Sequence, residues 1–246
     1  ETRLFNRKKR ERTDHYPELL DVKSYCSAES VIFDGEIIAL ADDGKPSFHR
    51  VLKRDGIRNL ERVPYVQKQV PITYMVYDVV FYNGEWLTNR PLHERIDLLS
   101  HIVTANHNVH LVSSHDDGSA LFKAIAQQDM EGIVMKQVNS LYYIGEKKDV
   151  WRKIKYIRDL IAVVGGFTLR NGIVNAVLLG LYNEKKELFY IGHSGTGKLP
   201  STDWRQLTNR LLPLEIKDKP FVNGVKRSTG VHWVRPTITM KIHYAE

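Results

Sequence analysis

Apolar residues in the first two thirds of the chain recur at two different spacings, which predict strands and helices in mixed order. Short apolar runs predict strands over residues 2–5, 31–40, 72–81, 132–136 and 150–155, the second of them broken at Asp34-Gly35. Helical spacing predicts helices that begin at Ser47 and that span residues 91–102 and 119–128. Asn83-Gly84 predicts a turn after the third strand. This order is typical of an α+β fold with antiparallel or mixed sheets.

The pattern changes near Ile157, after which short strands dominate. Strands are predicted over residues 160–167, 173–182, 187–193 and 238–244, with one helix over residues 201–211. Turn signals such as Arg170-Asn171-Gly172 separate the strands, and this combination favours a small β-barrel. We therefore predict two domains, residues 1–157 and residues 158–246.

Composition and charge narrow the class of partner and the compartment. The 246 residues are 42% hydrophobic, carry a formal charge of +7 and include one cysteine, Cys26. A single cysteine excludes a disulfide framework or a cysteine zinc site within the chain, and it favours a reducing compartment, here the cytoplasm. No apolar run approaches the ~20 residues of a membrane span, so we expect no membrane partner. The basic balance favours a polyanion, nucleic acid first, although many basic proteins bind nothing.

Two lysines alternate in the segment Trp151-Arg152-Lys153-Ile154-Lys155. Because successive side chains on a strand point to opposite faces, Lys153 and Lys155 are predicted to share one face. Two ammonium groups side by side repel each other, so the pair suits either a bound phosphate or a face open to water. The segment alone leaves both interpretations open.

Two glutamates and a tyrosine stand in strand contexts that suit a nucleotide. Glu36 and Glu131 each neighbour a glycine, which would let a ligand approach the backbone closely. Their carboxylates could hold a ribose hydroxyl or Mg²⁺, or they could be ordinary glutamates at a strand edge. Tyr77 lies in an apolar strand and could form a wall of a base-stacking slot or belong to the core.

Cations also cluster at two predicted turns. The run Arg7-Lys8-Lys9-Arg10 is too short for a disordered tail and predicts a turn that exposes its charges. Residues 192–198 read Gly-His-Ser-Gly-Thr-Gly-Lys, close to a phosphate loop, but Leu199 stands where Ser or Thr would hold Mg²⁺. We therefore predict a turn that presents Lys198 to a DNA phosphate.

Four segments, in this order, resemble the motifs of covalent nucleotidyltransferases, and most specifically those of ATP-dependent DNA ligases. The matches to motifs III, IIIa, IV and V of that family are Asp34-Gly35-Glu36, Tyr77-Asp78, Glu131-Gly132-Ile133-Val134-Met135-Lys136 and Lys153-Ile154-Lys155. Asn6-Arg7 occupies the place of motif Ia, and Trp233-Val234-Arg235-Pro236 resembles the oligonucleotide-binding (OB) domain. The resemblance implies an adenylation (nucleotidyltransferase) domain followed by a small β-barrel OB-fold domain. Bacterial end-joining ligases and small phage-type ligases are both similar.

The resemblance implies a reaction and its partners. Ligases of this family attack ATP with a lysine, pass AMP to the 5′-phosphate of a nick, and let the 3′-hydroxyl displace it, with Mg²⁺ or Mn²⁺ as cofactor. Nicked or broken duplex DNA is the implied substrate, a DNA end-binding protein is a candidate partner, and we expect a monomer.

The resemblance also assigns roles to single residues. Glu36 would bind the ribose, and Tyr77 would stack on adenine. Glu131 would help place the metal, and the two motif V lysines would neutralise the α-phosphate and lower the pKa of the nucleophile. The implied site residues are Glu131, Lys153 and Lys155 for catalysis; Arg7, Glu36, Tyr77, Glu131, Lys153 and Lys155 for the nucleotide; Glu36 and Glu131 for the metal; and Arg7, Lys8 and Lys198 for DNA.

The chain departs from the family pattern at the nucleophile. The attacking lysine of the family lies in a Lys-x-Asp-Gly motif ahead of motif Ia, and no such tetrapeptide precedes Arg7. Lys53-Arg54-Asp55-Gly56 has the right letters, but it follows motif III, which is not the nucleophile position of the family. The basic final motif is also absent after Tyr244, so we expect both ends to be trimmed. Three hypotheses follow: the trimmed body of a DNA ligase, a module that binds nicked DNA without chemistry, and a relative that ligates or caps RNA.

Overall fold

The chain folds into two compact units, Glu1–Tyr156 and Ile157–Glu246. The computed structural model describes residues 1–195, 197, 199–225 and 228–244. Each unit has its own cluster of buried apolar side chains, so each can be described by itself.

Unit 1 contains a mixed sheet and a separate two-stranded ribbon. Strand β2 lies at the centre of the sheet: it pairs antiparallel with β1 and β3 and parallel with β4. Strands β5 and β6 pair antiparallel and form the ribbon. The strands of this unit are β1 (Val31–Ile38), β2 (Thr73–Tyr82), β3 (Glu85–Trp86), β4 (Val109–Leu111), β5 (Gly132–Lys136) and β6 (Trp151–Lys155).

Four helices surround these strands, and two of them begin at side-chain caps. The helices are α1 (Phe48–Asp55), α2 (Val63–Gln69), α3 (Leu92–Ile102) and α4 (Gly118–Gln127). Ser47 caps α1 by accepting a hydrogen bond from the Arg50 amide, and Asp117 caps α4 by accepting one from the Ala120 amide. Helix α3 packs on β2, and α4 packs on β5. The core of the unit therefore lies beneath the mixed sheet, where Val76 and Val79 are fully buried.

Unit 2 is built on one antiparallel sheet of six strands. Strand β7 is the longest: it pairs along much of its length with β8, and its first and second halves also pair with β12 and β11. Helix α5 contributes Trp204 and Leu211 to the buried core. The elements are β7 (Arg158–Arg170), β8 (Ile173–Tyr182), β9 (Leu188–Gly195), α5 (Ser201–Leu211), β10 (Glu215–Ile216), β11 (Val231–Val234) and β12 (Thr239–Tyr244).

Two sequence-based predictions in unit 1 are corrected by the structure. Strand β1 does not break at Asp34-Gly35, because shifts of register against β2 absorb the irregularity and the strand continues to Ile38. Residues 2–5 were predicted as a strand, but Phe5 makes an isolated bridge to Glu11 instead. The turn at Asn83-Gly84 is confirmed, since both residues have positive φ, as a tight hairpin between β2 and β3 requires.

Candidate functional site

The β5–β6 ribbon presents one face that carries both candidate lysines and Trp151. Lys136 pairs with Trp151, Val134 with Lys153, and Gly132 with Lys155. Because side chains alternate along a strand, Trp151, Lys153 and Lys155 share one face of β6. The face therefore runs from an indole at one end to two ammonium groups at the other.

The charged end of this face contains an ion pair that is open to solvent. Lys155 Nζ lies 2.7 Å from Glu131 Oε1, and the two side chains are 49% and 57% exposed. The hydrogen bond from Lys155 is the main cause that lowers the pKa of Glu131; burial opposes it, and the charges of Lys155 and Lys153 lower the pKa further. Glu131 is therefore anionic at neutral pH, while its exposed ion pair contributes at most about 1 kcal/mol and can exchange partners readily.

At the other end of the face, which we call the aromatic end, Trp151 meets Tyr77 of β2 and Tyr142, and all three side chains are half-buried. The Tyr77 hydroxyl donates to Asp34 Oδ1 at 3.0 Å, and the Tyr142 hydroxyl donates to Oδ2 of the same carboxylate at 2.6 Å. Trp151 packs edge-on against both rings, at centroid distances of 6.1 and 6.0 Å. Burial raises the pKa of Tyr77 and of Tyr142, and the adjacent Asp34 charge raises both further. Both phenols therefore remain protonated and donate.

Lys136 places a cation inside this aromatic cluster. Its Nζ lies 3.9 Å from the ring centroid of Trp151 and 4.5 Å from that of Tyr77, and it donates to the Tyr77 carbonyl at 3.4 Å. Burial lowers the pKa of Lys136, and the charges of Asp78 and Asp34 oppose that effect. A base stacked on this face of Tyr77 would displace the ammonium group, so stacking without displacement must use the opposite face.

A buried ion pair between Asp78 and Arg95 lies next to the aromatic end, where Arg95 is 5.6 Å from the ring centroid of Tyr142. Asp78 and Arg95 have fully buried side chains, and the guanidinium binds the carboxylate through two hydrogen bonds of 2.8 and 2.9 Å. Arg95 also donates to the carbonyl of Ser140 at 3.2 Å. The pair thus ties β2 and α3 to the segment that precedes Tyr142.

The glycines beside the two glutamates have a structural role that sequence reasoning missed. A Cβ on Gly35 would lie 2.4 Å from the ring of Tyr74, and one on Gly132 would lie 2.2 Å from the Ile154 carbonyl oxygen. Gly132 also has a φ of +148°, which side chains disfavour. Close packing within the protein therefore already requires glycine at both positions, whether or not a ligand approaches the backbone there.

The remaining predicted residues are dispersed. Glu36 is exposed on β1, and its charge contributes to the raised pKa of Tyr77. Arg7 and Lys8 are exposed in a turn in which Asn6 Oδ1 accepts from the amides of Lys8 and Arg10. Lys198 lies outside the described residues.

The segment Lys53-Arg54-Asp55-Gly56, which has the letters of the nucleophile motif, lies at the end of helix α1. Lys53 is in the last turn of α1, and its Nζ donates to Gln69 Oε1 at 3.3 Å. Its neighbour Arg54 is fully buried and pairs with Glu18. These contacts hold Lys53 and Arg54 on helix α1.

Four residues of the cluster had no predicted role: Asp34, Lys136, Tyr142 and Trp151. Three of them lie within or next to the motif segments, and Trp151 stands two residues before Lys153, which was a usable signal for the same face. Tyr142 lies between the motifs in an irregular segment, so its sequence position gave no signal.

The donor set is compatible with a magnesium ion held partly by its substrate. Among the described residues no group of three or more His, Cys, Asp or Glu side chains could hold a metal ion. Mg²⁺ commonly uses one or two carboxylates together with phosphate oxygens and water. The exposed, anionic Glu131 fits such a site, and the exposed carboxylate of Glu36 has the same chemistry.

Family comparisons decide the class of the chain. Residues 1–155 match the family described as ATP dependent DNA ligase domain, and residues 170–246 match the family described as ATP dependent DNA ligase C terminal region. The chain belongs to the ATP-dependent DNA ligase family. The predicted family and the α+β fold class, with adenylation and OB-fold domains, are thereby confirmed.

Individual ligases show the extent of the similarity. A DNA ligase of Ignicoccus hospitalis is 28% identical over 99% of this chain and 44% of its own length. The multifunctional non-homologous end joining protein LigD of Mycolicibacterium smegmatis is 24% identical over 96% of this chain and 30% of its own length. The chain thus spans less than half the length of these curated relatives.

Two solved structures share the fold. The ligase domain of M. tuberculosis LigD has a TM-score of 0.51 at 23% identity, over 99% of this chain and 77% of that one. A Lig E DNA ligase has a TM-score of 0.54 at 15% identity, over 83% of this chain and 74% of that one. No helix in the described part of the chain is both long and apolar enough to cross a membrane.

Proposed function

We propose that this chain is the nucleotide- and DNA-binding body of an ATP-dependent ligase that seals nicks or breaks in duplex DNA. One observation carries the proposal: one face of the β5–β6 ribbon has Trp151 at one end, packed against Tyr77 of β2 and against Tyr142, and paired lysines with a glutamate at the other end. The four residue steps from Trp151 to Lys155 cover about 13 Å. That length suits a nucleotide with its base at the aromatic end and its phosphates at the charged end.

The charged end is suited to in-line phosphoryl transfer. Lys153 and Lys155 would neutralise the α-phosphate of ATP and hold it in line for attack. Glu131 would exchange its lysine partner for a metal ion, with Glu36 holding the ribose or the same ion. Mg²⁺ or Mn²⁺, when bound, would neutralise charge on the phosphates. The attacking lysine is expected on a Lys-x-Asp-Gly segment ahead of Arg7.

The aromatic end would receive adenine. Tyr77 would stack on the base through the ring face opposite Lys136. Trp151 makes a T-shaped contact with the Tyr77 ring, and the Asp34 carboxylate accepts a hydrogen bond from its hydroxyl. A preformed slot of this kind favours binding because fewer side chains must be ordered when the nucleotide arrives.

DNA would be held by cations away from this face. The turn of Arg7 and Lys8 exposes both side chains, and the sequence suggests Lys198 as a further contact. Each phosphate neutralised should add about −0.9 to the slope of log affinity against log salt. A salt-independent affinity for nicked duplex would contradict a DNA-binding surface.

The adenylation test uses a protein in which the Lys-x-Asp-Gly segment precedes Glu1. After incubation with ATP and Mg²⁺, its intact mass should rise by one AMP, and Lys153→Ala should abolish the rise. Arg152→Ala is the matched control, since Arg152 alternates with Lys153 along the same strand, is exposed and pairs with Asp149. Unchanged adenylation of Lys153→Ala would contradict the proposed role.

A second candidate function is DNA binding without chemistry, because the lysine of the Lys-x-Asp-Gly sequence in this chain, Lys53, lies on helix α1. The same mass measurement on this chain distinguishes the two. We expect no AMP adduct, because Lys53 belongs to helix α1 and is bonded to Gln69. An adduct mapped to Lys53 would show that the chain carries its own nucleophile.

A further inference from the structure

Tyr142 reaches the candidate nucleotide site from a segment that carries no family motif. Its hydroxyl donates to Asp34 Oδ2 at 2.6 Å, across 108 positions of sequence. The other oxygen of the same carboxylate accepts from Tyr77 at 3.0 Å. Asp34 is therefore a bridge between Tyr142 and the tyrosine proposed to meet adenine.

The backbone around Tyr142 is anchored independently of β1. The Tyr142 amide donates to the Thr88 carbonyl at 3.0 Å. The Arg95 guanidinium, itself fixed by buried Asp78, lies 5.6 Å from the ring centroid of Tyr142 and bonds the carbonyl of Ser140. These contacts fix the backbone at Tyr142, so its hydroxyl can hold the Asp34 carboxylate in one position.

Two donors on one carboxylate constrain it more than one donor does. With one donor on each oxygen, rotation of the Asp34 carboxylate would disrupt two hydrogen bonds, whereas a single donor would oppose that rotation with only one. The orientation of Asp34 in turn sets the position of the Tyr77 hydroxyl. Trp151 packs edge-on against both rings, at 77° and 85°, and closes the arrangement.

We propose that Tyr142 is a positioning residue for adenine: through Asp34 it fixes the ring of Tyr77 without touching the nucleotide. The inference rests on the proposed function, because it assigns the base to Tyr77. Its hydrogen-bond chain predicts an effect on base binding and none on phosphate binding, since Lys153 and Lys155 lie at the other end of the ribbon face.

The test compares two ligands on the intact chain by calorimetry. Tyr142→Phe should weaken AMP binding about three- to tenfold, the usual worth of one hydrogen bond. Binding of inorganic tripolyphosphate should be unchanged. Tyr25→Phe is the matched control, because it also removes a tyrosine hydrogen bond, to the Leu19 carbonyl at 2.9 Å, in the core of the same unit. It should change neither affinity.

A double substitution tests the route through Asp34. Tyr77→Phe keeps the ring but removes the second donor, so Tyr142→Phe should have little further effect in that background. Equal weakening of AMP and tripolyphosphate, additive effects of the two substitutions, or an unchanged AMP affinity of Tyr142→Phe would each overturn the inference. If the wild-type chain binds neither ligand, the proposed function itself fails. If the wild-type chain binds both and Tyr142→Phe binds AMP equally well, only this inference fails.

Discussion

Under the proposed function, the two ends of the β5–β6 face would bind one nucleotide by different physical means. At the aromatic end, Asp34, Tyr77 and Tyr142 are half-buried and joined by hydrogen bonds before any ligand arrives. At the charged end, Glu131 and Lys155 are about half exposed and joined by one ion pair. A base needs a slot of fixed shape, whereas phosphates need charge that can be rearranged at small cost. The difference implies that the geometry of the aromatic end is fixed before a ligand binds, whereas the ion pair of the charged end rearranges when the ligand binds.

The same contrast separates two carboxylate–cation pairs within unit 1, one beside each end of the face. Asp78–Arg95 is fully buried, and Glu131–Lys155 is exposed. Removing one partner of a buried pair leaves an uncompensated charge, while an exposed pair is screened by water. The buried pair therefore stabilises the fold behind the site, and the exposed pair costs less to rearrange when a ligand binds.

The largest effect should come from breaking the buried pair. Arg95→Ala strands the Asp78 carboxylate and should lower the free energy of unfolding by about 3–5 kcal/mol, measured by urea titration. Arg90→Ala is the control, since Arg90 pairs with Glu85 at the surface, and it should lower that free energy by less than about 1 kcal/mol. Equal losses in the two variants would remove the contrast between buried and exposed pairs.

The next effect should separate phosphate affinity from base affinity. Replacing Lys153 and Lys155 together by alanine removes two charged donors and should weaken ATP binding about ten- to hundredfold in calorimetry. Adenosine, which has no phosphate, should bind the variant as it binds the wild type. If adenosine binding falls by the same factor, the two ends do not act separately.

A smaller effect should appear with ionic strength. Raising the salt concentration from 0.1 M to 1 M shortens the screening length from about 10 Å to about 3 Å. ATP affinity should fall several-fold, because the lysines that would bind its phosphates are exposed, and adenosine affinity should hardly change. If the affinities for ATP and adenosine fell by the same factor, the phosphates and the base would not bind at separate ends of the face.

The smallest effect concerns the titration of Glu131. Its folded-state pKa is lowered by Lys155, so carboxyl NMR should place it below the ordinary value of about 4.3. Lys155→Met should raise that pKa back toward the ordinary value. Because the folded pKa is lowered, any stability from this pair is present at neutral pH and is lost as pH falls through the folded pKa. A pKa unaffected by Lys155→Met would contradict the ion pair.

Much of unit 1 was predictable because its elements have strong local signals. Helix α3 and strand β2 follow apolar periodicity, and positive φ at Asn83 and Gly84 matches the turn that their letters predict. Helix α2 was missed: its seven residues include Pro64 near the start, and such short helices depend on packing rather than on pattern. Strand β4 was missed for a related reason, since its parallel pairing with β2 is a long-range contact.

The candidate site was only partly predictable. Alternation along a strand placed Lys153 and Lys155 together, because that geometry is local. The bridge from Tyr142 to Asp34 joins residues 108 positions apart, and no periodicity reports it. The insertion of Lys136 between two rings also depends on how the ribbon meets β2, which a sequence pattern does not contain.

The most direct test is an NMR titration of the intact chain with AMP, observed at the tryptophan indole N–H signals. Trp151 lies at the aromatic end of the ribbon face, and Trp204 lies in the buried core of unit 2. We predict a saturable shift of the Trp151 signal and a constant Trp204 signal. A Trp151 signal that does not move while AMP binds would contradict the assignment of the base to this end of the face.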